Sequence, residues 1–117
     1  MVGKKVKALA RKPELLKAAK AKLKIRALSR DYVHRLIEMI PREAQELGTF
    51  RLLLQLVREN GITDTPQLKA FLEQEMRATE AELQQHRFTQ LEHRTRLSER
   101  LDLLRLMTEL VERYVPS

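Results

Sequence analysis

The chain has 117 residues, of which 43% are hydrophobic and only 4% aromatic, with no Trp, no Cys and a formal net charge of +7. Its apolar mass is Leu, Ala, Val, Ile and Met, which packs helix on helix more readily than it builds a sheet sandwich, and three Gly and four Pro are too few for a fold of many tight turns. The lack of Cys excludes a disulfide framework, a thiolate zinc site and a Cys nucleophile, and no apolar run reaches the roughly 18 residues a membrane-spanning helix needs.

The charge is unevenly placed. Residues 1–30 carry Lys4, Lys5, Lys7, Arg11, Lys12, Lys17, Lys20, Lys22, Lys24, Arg26 and Arg30 against Glu14 alone, a net +10. Residues 31–117 hold twelve basic and fifteen acidic side chains, a net −3. The two parts also differ in kind. The first has eight Lys and three Arg, the second Lys69 and eleven Arg. Strongly hydrated Lys suits diffuse attraction, and the Arg fork suits defined pairs with carboxylates or phosphates. The chain therefore divides into a Lys-rich, partly helical arm (1–30) and a helical body (31–117), and the arm calls for a polyanionic partner.

In chain order, Pro13 and Glu14 suit a first helical turn, and the good helix formers from Glu14 to Ala27 put Leu16, Ala19, Leu23 and Ala27 on one face. Ser29 offers an N-cap for a second helix, with Asp31 in its first turn, whose spacing through Tyr32, Val33, Leu36, Ile37 and Ile40 is helical and which Pro41 ends or kinks. One or two turns follow to Leu47, with Gly48 suited to a helix stop and Thr49 to the next cap. Residues 50–59 are the most apolar stretch and predict a helix buried on most sides. Asn60-Gly61 is a stop, and Thr63-Asp64-Thr65-Pro66 is the clearest helix start, with Asp64 or Thr65 as cap and Pro66 at the first position.

Beyond Pro66, residues 67–114 contain neither Pro nor Gly. They predict one long helix, or two divided near 77–79, where Thr79-Glu80-Ala81-Glu82 has capping-box spacing. Leu68, Leu72, Met76 and Leu83 form a front seam. Leu97, Leu101, Leu104, Thr108 and Val111 form a rear one with the rhythm of a coiled coil. Leu97, Leu101, Leu104 and Val111 are the expected partner interface, for a second copy or another helical protein. The fold expected is all-α, with three to four helices, a long C-terminal one and a basic N-terminal arm.

Two site readings compete with the arm alone. A helix–turn–helix over 50–91 would present Gln84, Gln85, His86, Arg87 and Gln90 to base edges or phosphates. A ribbon–helix–helix would use the loose alternation of Leu23, Ile25 and Ala27 as a strand. Enzymatic chemistry finds no support: there is no Gly-rich phosphate loop, no nucleophile elbow and no His-Glu-x-x-His. His86 and His93 stand seven apart, outside the three-or-four spacing of helical metal ligands, so neither metal nor cofactor is expected. The pairs Glu38–Arg42, Glu73–Arg77 and Glu109–Arg113 read as exposed helical ion pairs worth ~0.3–0.5 kcal/mol each.

The expectation is thus a small nucleic-acid-binding accessory or regulatory protein, DNA or RNA, held by phosphate contacts from the arm and oligomerised through its last helix. The alternative is a non-enzymatic assembly or adaptor subunit whose arm docks on acidic protein or RNA. A membrane surface is the weaker partner, because the arm lacks Trp and Phe anchors. Cytoplasm or nucleoid is the expected location. A mitochondrial presequence competes for the basic N-terminus, against the excess of Lys over Arg and the single hydroxyl at Ser29.

Overall fold

The computed structural model describes residues 12–85 and 91–116, and all of their regular structure is helical. The helices are α1 (Lys12–Met39), α2 (Arg42–Gln45), α3 (Gly48–Glu59), α4 (Thr65–Gln85) and α5 (Leu91–Tyr114). The all-α expectation holds. Lys4, Lys5, Lys7, Arg11, Arg87, His86 and Gln90 lie outside the described residues.

α1 runs straight through the boundary expected at Arg30/Asp31, and this overturns two readings at once. Leu23–Leu28 is helix, so there is no ribbon. Ser29 caps nothing: it is buried, and its hydroxyl donates to the Val57 carbonyl at 3.0 Å, 28 residues away. A cap would have used that oxygen locally, whereas the fold uses it to fasten α1 to α3. α1 stops at Met39 because Pro41 cannot supply the next amide. The Gln45 side-chain amide then donates to the carbonyls of Ile37 (2.7 Å) and Ile40 (2.8 Å), which the helix end leaves open.

Gly48 opens α3 rather than closing α2; Leu47 stands at the N-cap, and Thr49 lies inside the helix. α3 is amphipathic, not buried all round. Phe50, Leu53 and Val57 face the core while Leu52 is exposed. Its end is the stop that Asn60-Gly61 predicts. Gly61 has φ +61°, Ile62 N–H donates to the Val57 carbonyl at 3.0 Å and Gly61 N–H to the Arg58 carbonyl at 3.4 Å, the two bonds of a Schellman turn. Buried Val57 and Ile62 complete it. A Cβ on Gly61 would lie 2.9 Å from Ile25 Cγ2. Ile25 is half exposed and can yield, so the left-handed backbone sets the cost. Gly61→Ala is expected to lower stability by ~1–2 kcal/mol, read as a shift of the urea midpoint at constant slope.

The predicted start of α4 is present. Asp64 Oδ1 accepts from the Gln67 amide at 2.8 Å, and Gln67 Oε1 accepts in return from the Thr63 amide and hydroxyl, both at 3.1 Å. The single helix over 66–114 is not formed, and neither is a break at 77–79. α4 continues to Gln85, with Thr79 buried inside it and bonded to the carbonyl four residues back. α5 then returns antiparallel along α4. Arg100 Nη2 lies 2.8 Å from Glu75 Oε2 and Arg105 Nη2 3.6 Å from Glu80 Oε1. Thr79 therefore cannot begin a recognition helix, and the helix–turn–helix reading fails on that point.

The reversal has a second consequence. Leu97, Leu101, Leu104 and Val111 are buried within the single chain where α5 packs on α4 and α3, so the seam expected for a partner is spent internally. The main core gathers Tyr32, Val33, Leu36 and Ile40 of α1, Phe50, Leu53 and Val57 of α3, Leu68 and Leu72 of α4, and Leu104, Met107 and Val111 of α5. Tyr32 places its ring there and bonds Thr65 Oγ1 at 2.9 Å; burial pushes its hydroxyl pKa up.

Candidate nucleic-acid interface

Every described side chain from Glu14 to Leu28 is exposed, because the core begins only at Ser29. At 1.5 Å per residue, the stretch from Lys12 to Lys24, ahead of the approach of Ile25 to Gly61, is a helical arm of about 20 Å standing off the body. With the far end of the α4–α5 hairpin, it gives the molecule elongated dimensions of 58 × 43 × 22 Å and a radius of gyration of 19.6 Å, against about 13 Å for a compact domain of this length.

Helical geometry sorts the arm into three strips. Leu16, Ala19 and Leu23 form an apolar stripe, with Leu16 52% and Leu23 61% exposed. Lys17, Lys20 and Lys24 run along one flank. Along the other, Lys22, Arg26, Arg30 and His34 follow at strict four-residue spacing, a ladder about 18 Å long with no acid among its rungs.

The ladder leads into a groove. Arg26, Ser29, Arg30 and His34 of α1 and Arg58 of α3 line an open concavity of about 500 Å³. The fold builds it: the Ser29–Val57 bond and the approach of Ile25 to Gly61 bring α1 against the end of α3, which delivers Arg58 beside the ladder. None of Lys22, Arg26, Arg30 and Arg58 makes an ion pair among the described residues. This contrasts with the α4–α5 hairpin, where Arg100 and Arg105 meet carboxylates. Like charges four apart on a helix repel by a few tenths of a kcal/mol per pair. The ladder is therefore a locally unfavourable arrangement that an anion would relieve, and the guanidinium forks are suited to phosphate oxygens.

The structure joins some of the sequence-predicted residues and separates others. Lys17, Lys20, Lys22, Lys24, Arg26 and Arg30 share α1, and Lys12 opens it. Gln84 is exposed near the far end of α4, about 28 Å along that helix from the Thr65–Tyr32 contact. It does not belong to the basic track. His34 and Arg58 are the additions that sequence reasoning missed. The four-residue ladder was a legible signal for His34; Arg58 joins only through the tertiary contact. Of the expected ion pairs Glu73–Arg77 forms, while Glu38 and Arg42 fall on either side of the Pro41 break and Arg113 lies over the Tyr114 ring at 5.5 Å.

Among the described residues no three His, Asp or Glu side chains converge as metal ligands, and no helix is long and apolar enough to cross a membrane. Comparison with known proteins finds no match: no family model, no curated protein and no solved structure matches the chain.

Proposed function

We propose that this chain is a small nucleic-acid-binding accessory protein that grips the phosphate backbone with the cationic flanks of α1. The observation that carries the reading is the unneutralised ladder Lys22–Arg26–Arg30–His34, joined by Arg58 in an acid-free groove. Its lysine flank supplies charge that tracks a polyanion without reading sequence, and the arginine groove supplies forks that hold individual phosphates. The protruding helix lets a strand or duplex approach from either flank, because the body covers neither.

The protein has no aromatic side chain on the described part of the arm, so affinity rests on charge rather than on base stacking. Binding is expected to ignore sequence. Fluorescence-anisotropy titration of a labelled duplex and a labelled single strand tests this, with the full chain and a chain lacking residues 1–24. The truncation ends before Ile25 and Ser29, so the docking of α1 on α3 survives it. The expected result is binding by the full chain and loss of most affinity on truncation, with the arginine groove supporting a weak residue. Equal affinity of the two chains would remove the arm from the interface.

A further inference from the structure

The opposite end of the molecule holds a surface of the opposite character. A groove of about 780 Å³ lies between α2 and the C-terminal turns of α5. Its floor is apolar: Leu110 is buried, while Leu47 and Leu106 are about half exposed. Its rim carries Glu43, Glu109 and Glu112, and none of the three makes an ion pair among the described residues. Arg113 is the lone cation of the lining, and its guanidinium is engaged over the Tyr114 ring.

An occupant that fits is an amphipathic helix with a leucine stripe flanked by cations. The chain carries such a helix itself: Leu16, Ala19 and Leu23 between the Lys17–Lys20–Lys24 and Lys22–Arg26 flanks. Its own arm cannot reach its own groove. α1 is one continuous helix, α2 follows its C-terminal end, and Leu16 lies about 35 Å of helix upstream of Met39. A second copy has no such restriction.

We propose that the acid-rimmed groove of one copy receives the cationic arm of another, burying the leucine stripe on Leu47, Leu106 and Leu110 and pairing the arm's lysines with Glu43, Glu109 and Glu112. Both partners are surfaces that the single chain leaves uncovered, one basic and one acidic, each with an apolar centre. Exchange in both directions closes a dimer; exchange in one direction propagates a chain of copies. Nucleic acid and the groove draw on the same arm, so self-association and nucleic-acid binding compete.

The test is sedimentation velocity over a concentration series, with no nucleic acid present, so its outcome does not depend on the binding reading above. Wild type is expected to self-associate, and more weakly at high salt. Leu16→Glu/Leu23→Glu spoils the arm, and Glu109→Lys/Glu112→Lys spoils the groove; all four sites are exposed or on the rim, so neither pair touches the core. Each variant is expected to lose self-association by roughly tenfold or more in dissociation constant. Mixing the two is expected to restore a heterologous complex, because one variant keeps an intact arm and the other an intact groove. A wild type that stays monomeric throughout, or that associates undiminished by either pair of substitutions, overturns the proposal. So does a mixture that stays monomeric.

Discussion

Arg26→Gln/Arg30→Gln/Arg58→Gln is expected to weaken duplex binding on the order of tenfold to a hundredfold at moderate salt and to reduce the slope of log K against log salt by about 2.7. The slope change follows from three phosphate contacts removed at about 0.9 each. The same variant should unfold no more readily than wild type. Arg26 and Arg30 are neighbours on the ladder with no acidic partner, so neutralising them removes repulsion worth a few tenths of a kcal/mol. Loss of affinity beside equal or greater stability separates an anion site from a structural one. Arg77→Gln/Arg100→Gln/Arg105→Gln is the matched control, because those three cations are already spent on Glu73, Glu75 and Glu80. It should leave affinity nearly unchanged and cost stability slightly. Equal losses from both variants would reduce the interface to bulk charge.

Leu53→Ala is expected to be the most damaging single truncation, at ~2–5 kcal/mol. Leu53 is fully buried at the middle of α3, and α3 is the helix that packs on α1, α2 and α5. α4 and α5 support each other as a hairpin, but α1 reaches the body chiefly through α3. A cavity at Leu53 loosens that junction. Small domains hold only about 5–15 kcal/mol in total, so the loss should lower the melting temperature by roughly 10–30 °C. Leu52→Ala, one residue along on the exposed face, should cost about 1 kcal/mol or less. Chemical unfolding followed by circular dichroism compares the two. Similar midpoints would mean that α3 is not the keystone.

What could be read in the sequence was what local chemistry decides. Pro41 lacks an amide, Gly61 alone accepts φ +61° cheaply, and Asp64 with Gln67 closes a cap; each acts within four residues of itself, and each stop or start appears where predicted. Two of the errors share one cause, hydroxyls with more than one use. Ser29 looks like a cap but bonds Val57 from the helix interior, and Thr79 looks like a cap but bonds back to Glu75. The return of α5 along α4 was also hidden, since residues 86–90 contain no Pro or Gly to announce it. That reversal is what turns the Leu97–Val111 seam from an outward face into core. On the candidate site, the charge of the arm was legible at once. The groove was not, because Arg58 joins Arg26 and Arg30 through a contact spanning 28 residues of chain.

The most direct measurement is the salt dependence of equilibrium binding by the full chain to a labelled duplex of generic sequence, taken from about 50 to 200 mM monovalent salt. A ladder and lysine flank that engage several phosphates predict a straight decline of log K against log salt, with a slope steeper than about −4 and the same for unrelated sequences. A flat dependence, or no binding at the low-salt end, would contradict a phosphate-gripping role for α1.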